Sequence, residues 1–328
     1  MQLKELTTIH IGGEIDKFVE CHSEEEIINS FKFADQNNLP ILIIGEGSNL
    51  IPNDDEFKGF VIKDIRNDIV NNTYSAGILL ENIVKQIIDS NPNSEIRALS
   101  GIPGTIGGAV VQNAGAYGRE FCDFLEYTRV YDRKTKKIIY LTNQNIEPGY
   151  RSTTLKNSIQ NQPSPRWIVL DVTINPNPIL KENTRGNHTR EEILFSRSEK
   201  GTLSPNNDKG QANKIDNDRF SAGSFFKNPI ISREKFAKMN LPENAPKYDV
   251  ENPERIKLSA AWLIENSGIP KGFSLPESNI ALSSKHTLAI TNPNQIGTRL
   301  EVEELAKYIQ ETVLKKYQIE LSPEPIFL

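Results

Sequence analysis

Arg151, Ser224 and Glu324 stand in three short stretches whose residue types could do chemistry. In "GYRS" (Gly149 to Ser152) an aromatic precedes Arg151, and a guanidinium is the natural partner of a carboxylate or an enolate because its planar fork donates two parallel hydrogen bonds. In "SAGSFFKNP" (Ser221 to Pro229) Ser224 follows Gly223 and precedes Phe225 and Phe226, which places its hydroxyl at a dry turn with Lys227 and Asn228 nearby. In "LSPEPIFL" Glu324 lies between two prolines and is flanked by Ile319, Leu321, Ile326 and Phe327. Taken singly, each has an ordinary reading: a surface pair, a buried turn and a disordered tail. Ser224 is not a hydrolase nucleophile, because G-x-S-x-G is absent and no His/Asp pair follows it.

Two glycine-rich loops could hold an anion or a planar ring. "GEGSN" (Gly45, Glu46, Gly47, Ser48, Asn49) ends the apolar run Ile41 to Ile44, where glycines let backbone N–H groups turn toward a phosphate. It lacks the third glycine of a dinucleotide fingerprint and the Gly-Lys-Ser/Thr of a P-loop, and a plain strand-ending turn explains it equally well. "SGIPGTIGGAVVQNAGAYG" (Ser100 to Gly118) carries six glycines in nineteen residues and no acidic side chain, a surface made of backbone that can lie against a heterocycle and a pyrophosphate. A pair of tight core turns is its other reading. "RSEK" sets Arg197 and Lys200 three apart on a short helix, able to grip a diphosphate or simply to face solvent.

These loops need elements to position them. Ser23 to Asn38 reads as a helix, with Ser23 and Glu26 as a capping box and Ile27, Ile28, Phe31 and Ala34 as its apolar stripe. Ile41 to Ile44 reads as a strand covered on both faces, giving a βαβ-like start. A second amphipathic helix runs from Ile78 to Ser90 and is stopped by Pro92, and Val130 to Leu141 and Trp167 to Ile174 read as strands, with a hairpin turn at Arg133 to Lys137. Residues 176–219 read as loops around one helix, Arg190 to Ser198, with a domain boundary near 205–219. Beyond it we expect a helix at Ile256 to Ser267, a strand at Leu288 to Thr291 and a helix at Val302 to Lys316.

At 328 residues the chain has room for two or three domains. A net charge of −5 and one short basic run, Arg133 to Lys137, give no reason to expect a nucleic-acid partner. The start has neither an apolar signal core nor a cleavage site, and no apolar run is long enough to span a bilayer, so a cytoplasmic protein without a membrane partner is expected. Cys21, Cys122 and the four histidines are too scattered for a disulfide framework or a metal site.

Taken together and in order, these segments resemble the UDP-N-acetylenolpyruvoylglucosamine reductase family, flavoenzymes of bacterial peptidoglycan precursor synthesis. The likeness runs nearly end to end, through "TTIHIGG", "IIGEGSNL", "SGIPGTIGGAVVQNAGAYG", "GYRST", "SAGSFFKNP", "SAAWLIENSGIPKG", "KHTLAITN" and "LSPEP". The resemblance implies an α+β chain: a two-subdomain FAD-binding module of the vanillyl-alcohol-oxidase type over residues 1–64, joined by the tail 320–328, and 65–205, then a C-terminal α+β substrate-binding domain over 206–319. It implies FAD and NADPH as cofactors, UDP-N-acetylglucosamine enolpyruvate as substrate, hydride from flavin N5 to C3, protonation at C2, and a monomer. Arg151 would hold the developing enolate, Ser224 would protonate C2, and Glu324 would assist as a hydrogen-bonding or acid partner. The flavin and pyrophosphate would rest on Gly45, Glu46, Gly47, Ser48, Asn49, Ser100, Gly101, Pro103, Gly104, Thr105, Gly107, Gly108, Asn113, Gly115 and Ala116. Tyr150, Arg197, Lys200, Asn228 and His286 would line the substrate.

Two departures stand out. The long-loop subtype of the family carries a tyrosine before the helix that here begins near Arg190, and residues 171–196 contain none. Pro325 follows Glu324 where the family usually has valine or a similar residue. Another flavoprotein of the same superfamily, oxidising a sugar or alcohol, would explain the glycine loops but not "GYRS", "SAGSFFKNP" and "SPE" together. A non-catalytic nucleotide-sugar sensor would be colourless.

Overall fold

The structure, a computed structural model, describes residues 1–158, 164–180, 188–200, 217–239 and 241–328. The chain divides into two compact units, one of Met1, Glu14–Gly47 and Glu56–Ala212, the other of Gln2–Gly13, Ser48–Asp55 and Asn213–Leu328. The boundary expected between residues 205 and 206 lies outside the described residues.

The first unit opens with strand β1 (Ile15–Cys21), helix α1 (Glu24–Gln36) and strand β2 (Ile41–Ile44). Ser23 caps α1 by accepting the Glu26 N–H at 3.1 Å. The reciprocal half of the expected capping box is shifted, because the Glu26 carboxylate accepts from the N–H of His22, one residue before the cap. Ile27, Phe31 and Ala34 turn inward, with Ile28 at the rim of the same cluster. Strand β3 (Leu50–Ile51) belongs to the second unit. The next strand, β4 (Phe57–Asp64), lies between β1 and β2 in a parallel sheet, which is why Ile41–Ile44 reads as an unbroken apolar run.

An antiparallel sheet in the order β10-β9-β11-β6-β5 follows. It is built from β5 (Ile69–Val70), β6 (Thr73–Ser75), β9 (Leu125–Asp132), β10 (Lys137–Leu141) and β11 (Trp167–Ile174). Between β6 and β9 come helix α2 (Leu80–Ser90), helix α3 (Ile106–Gln112) and the small hairpin of β7 (Gly115–Ala116) and β8 (Arg119–Glu120). Leu80, Ile83, Val84 and Ile87 of α2 are buried, each contributing about 1.5–3 kcal/mol. The short helices α4 (Asn143–Ile146) and α5 (Thr154–Asn157) bracket the Arg151 turn, and α6 (Arg190–Glu199) starts at a Thr189/Glu192 capping box.

The second unit gathers three stretches of sequence around one core. Ile9, Ile11 and Ile51, all buried, pack there with Phe225, Phe226, Leu258, Leu263 and Ile309. Strand β12 (Ile230–Ser232), helix α7 (Arg233–Lys238), β13 (Lys247–Asp249) and β14 (Arg255–Leu258) form an antiparallel sheet with its covering helix. Helix α8 (Ala260–Asn266), the pair β15 (Ala281–Leu282) and β16 (Ile290–Thr291), helix α9 (Arg299–Tyr317) and strand β17 (Ile326–Phe327) complete it. The helix expected over Ile256 to Ser267 is in fact a strand followed by a helix. Ile256 and Leu258 are buried two apart on the central strand, and Ser259 starts α8 afresh by accepting the Trp262 N–H at 3.2 Å. The expected strand from Leu288 shortens to β16, since the Leu288 carbonyl accepts from Phe225 instead. A Thr298/Glu301 capping box starts α9 earlier than the expected Val302. No helix among the described residues is long and apolar enough to cross a membrane.

Candidate functional site

In the first unit the two glycine loops touch. A Cβ on Gly45, at the end of β2, would fall 2.7 Å from Thr105 Oγ1, and one on Gly107 would fall 2.9 Å from the Ala76 side chain. Thr105 caps α3 by accepting the Gly108 N–H at 3.3 Å. Gly101 and Gly104 adopt φ of +72° and +107°, conformations that glycine reaches without steric cost. The Gly101 N–H donates to Glu81 Oε2 at 2.6 Å, and the other Glu81 oxygen accepts from Arg190 at the start of α6. Glu46 is paired with Lys63 at 3.7 Å.

Ser100 is fully buried, and its Oγ has no hydrogen-bond partner among the described residues. Such a group costs about 1–3 kcal/mol until a ligand atom meets it. Closely apposed glycine backbone around an unspent hydroxyl fits a flavin nucleotide, whose ring carbonyls and pyrophosphate call for just such donors.

Arg151 is positioned from the same loop. Gly149 and Ser152 exchange backbone hydrogen bonds at 2.9 and 3.1 Å, so Tyr150 and Arg151 form the corner of a tight turn, with Arg151 at φ +56°. The guanidinium lies 5.3 Å from the Tyr150 ring centroid and donates to the carbonyls of Asn113 and Gly115. Asn113 itself is buried and works as a connector. Its amide nitrogen donates to Glu120 Oε2 at 2.6 Å and to the Gly149 carbonyl at 3.1 Å, while its oxygen accepts from the Cys122 N–H at 3.0 Å. This side chain therefore acts on the site through the loops it joins.

Arg197 is half-buried in the last turn of α6. Burial, and after it the like charge of Arg151, pull its guanidinium below the usual value, with Tyr117 and Glu81 acting the other way. A guanidinium stays charged under these conditions. Lys200 closes α6 as an exposed side chain. The helix holding Arg197 is tied back to the glycine loop through Arg190 and Glu81.

In the second unit the turn at Gly223 (φ +73°) presents an exposed Ser224. Phe225 is held on both sides, its N–H donating to the Leu288 carbonyl at 2.7 Å and its carbonyl accepting the Glu324 N–H at 2.8 Å. Lys227 N–H donates to the Ser322 carbonyl at 2.9 Å. Ser224 and Glu324, a hundred residues apart in sequence, are thus brought onto adjoining segments, joined by an isolated bridge between Phe226 and Pro323. Asn228 Oδ1 accepts the Ala260 N–H at 2.9 Å. His286 Nδ1 accepts the Leu288 N–H at 3.1 Å. Ser48 and Asn49 also belong to this unit, and the Asn49 carbonyl accepts the N–H of Ile326 at 3.0 Å.

Sequence reasoning missed Glu81, Glu120 and Asp218. Glu81 left a signal, an acid within the apolar face of α2. Glu120, which accepts from nearby Asn113, and Asp218, which accepts from the distant Ser283 and Ser284, left none.

The description "UDP-N-acetylenolpyruvoylglucosamine reductase, C-terminal domain" matches residues 214–328, and "FAD binding domain" matches residues 15–139. The UDP-N-acetylenolpyruvoylglucosamine reductase of Tropheryma whipplei (strain Twist) is 33% identical over 357 residues, spanning 100% of this chain and 99% of its own length. That of Thermobifida fusca (strain YX) is 31% identical over 352 residues, spanning 99% and 96%. The crystal structure of UDP-N-acetylenolpyruvylglucosamine reductase from Thermus caldophilus matches with a TM-score of 0.67 at 25% identity, over 100% of this chain and 97% of that one. With an FAD-binding fold at its start, a reductase-specific domain at its end and likeness along its whole length, the chain belongs to the UDP-N-acetylenolpyruvoylglucosamine reductase family.

Proposed function

We propose that the protein is a cytoplasmic, monomeric reductase that converts UDP-N-acetylglucosamine enolpyruvate to UDP-N-acetylmuramate, with FAD bound and NADPH as the reductant. The observation that carries this reading is the close approach of two glycine loops at Gly45 and Thr105, with the unspent Ser100 hydroxyl in one of them and Arg151 pinned to that same loop. FAD, when bound, supplies the hydride that adds to C3 of the enolpyruvyl group. Gly45, Gly47, Gly101 and Gly104 give the backbone freedom to meet the cofactor, and Ser100 offers one further hydrogen bond. Arg151 holds the charge that develops on C2 and the carboxylate, an electrostatic role worth most where water is excluded. Ser224 donates the proton to C2, and Glu324, on the segment beside it, assists as a hydrogen-bonding or acid partner. Tyr150, Arg197, Lys200, Asn228 and His286 bind the nucleotide sugar.

The purified protein should be yellow and should release intact FAD on denaturation, since neither glycine loop contains a His or Cys to tether it. Beyond the one equivalent that reduces the flavin, NADPH should then be turned over only when the enolpyruvyl nucleotide sugar is added. A colourless protein, or a coloured one that ignores this substrate, would overturn the reading. Lys200→Ala should raise KM for the nucleotide sugar and leave flavin reduction by NADPH less affected. Equal damage to both steps would assign Lys200 to the nicotinamide nucleotide as well.

A further inference from the structure

Asp218 lies six residues before Ser224, in a short 3-10 turn, and is buried. Its Oδ2 accepts from Ser283 Oγ at 3.0 Å and from Ser284 Oγ at 2.7 Å, and its Oδ1 accepts from the Ser284 N–H at 3.3 Å. Ser283 Oγ in turn accepts the N–H groups of Lys285 at 3.0 Å and His286 at 3.2 Å. A carboxylate only accepts hydrogen bonds, so each hydroxyl must spend its proton on Asp218, which leaves the Ser283 lone pairs for those two N–H groups. The charge on Asp218 thereby sets the direction of both hydroxyls, and Ser283 ties that order to the N–H of His286.

The same two segments run alongside each other beyond this clamp. Asn292 N–H donates to the Phe220 carbonyl at 2.8 Å, Ser221 bridges to Thr291, and Phe225 N–H donates to the Leu288 carbonyl. The loop that Asp218 organises therefore supplies the carbonyl on which the residue after Ser224 rests. That loop also fixes the His286 ring. Its Nδ1 accepts from Leu288, a nitrogen that accepts carries no proton, and the ring therefore carries its proton on Nε2.

We propose that Asp218 is a positioning residue of the reaction, clamping residues 283–289 so that the Ser224 turn and the Nε2–H form of His286 are both held in place. The proposal rests on the function argued above and deepens it. Asp218→Ala should slow the substrate-dependent step by about 10- to 100-fold, the scale of a reacting group displaced by about an ångström, with flavin reduction by NADPH within about twofold of wild type. Asp218→Asn, which keeps one accepting oxygen for the two hydroxyls but turns a donor toward the Ser284 N–H, should recover part of the rate. Nitrogen-15 spectra of the histidine side chains, with His286 assigned through His286→Gln, should show one tautomer in wild type and a mixture in Asp218→Ala. If Asp218→Ala fails to fold, Ser283→Ala should give the same tautomer mixture by removing the relay alone.

An unchanged rate with an unchanged His286 tautomer would overturn the proposal. So would parallel loss of both half-reactions, which would make Asp218 a folding residue only. A wild-type protein that does not oxidise NADPH with the nucleotide sugar would sink the function instead, and the spectra would still decide whether Asp218 governs His286.

Discussion

Ser224→Ala leaves NADPH able to bleach the flavin at close to the wild-type rate, and slows the return of colour after the enolpyruvyl nucleotide sugar is added by about 10²- to 10⁴-fold, the range for a removed general acid. Ser224 takes no part when NADPH reduces the flavin, so deleting it spares the first half-reaction and stalls the second, in which the substrate needs both its hydride and its proton. The fold should hardly notice. Ser224 is exposed, its turn is formed by Gly223 at φ +73°, and Phe225 remains fastened to Leu288 and Glu324 through backbone atoms that the substitution does not touch. A stability change within about 1 kcal/mol is expected, so lost turnover would reflect chemistry. Stopped-flow absorbance on wild type, Ser224→Ala and Ser224→Cys separates the steps, with Cys giving partial rescue. Normal turnover of the alanine variant would make Ser224 a packing residue, and Glu324 acting through a water would be the next group to test.

The second large effect belongs to Arg151→Lys, for which a loss of about 10²-fold or more in kcat is expected, the scale of one removed oxyanion-type donor. Arg151 already gives hydrogen bonds to the Asn113 and Gly115 carbonyls, which aim the fork from a backbone held at φ +56°. A lysine ammonium is a point charge on a flexible stem and cannot keep those two anchors while also presenting a planar pair of donors. The loss should fall on kcat more than on KM, because the interaction strengthens as charge develops. Turnover at the wild-type level would remove Arg151 from the mechanism.

Much of this site was legible in the sequence because glycine, proline and capping residues act locally. Gly45 to Asn49 had to follow a buried strand, and the helix capped by Ser23 announces itself within one turn. What stayed hidden depends on distant partners. Ile256 and Leu258 satisfy a strand as well as a helix, and only pairing with β12 and β13 decides between them. Asn113 reads as a loop residue until Glu120, Cys122 and Gly149 gather around it. Asp218 reads as one more polar residue in a polar stretch until residues 283 and 284 arrive from far along the chain.

The second unit owes its core to residues separated by nearly the whole chain, and this bears on the order of events during synthesis. Ile9, Ile11 and Ile51 emerge from the ribosome long before Phe225, Leu263 or Ile309, and Leu50 waits for Ile326 before β3 has a neighbour. The first unit can close on its own sheets meanwhile. A fragment cut at residue 214 would forfeit three buried isoleucines worth about 1.5–3 kcal/mol each, a large share of the roughly 5–15 kcal/mol that keeps a domain folded. Such non-local closure is slow, so the segment bearing Ser48 and Asn49 is set late in folding, and those early isoleucines stay exposed until then.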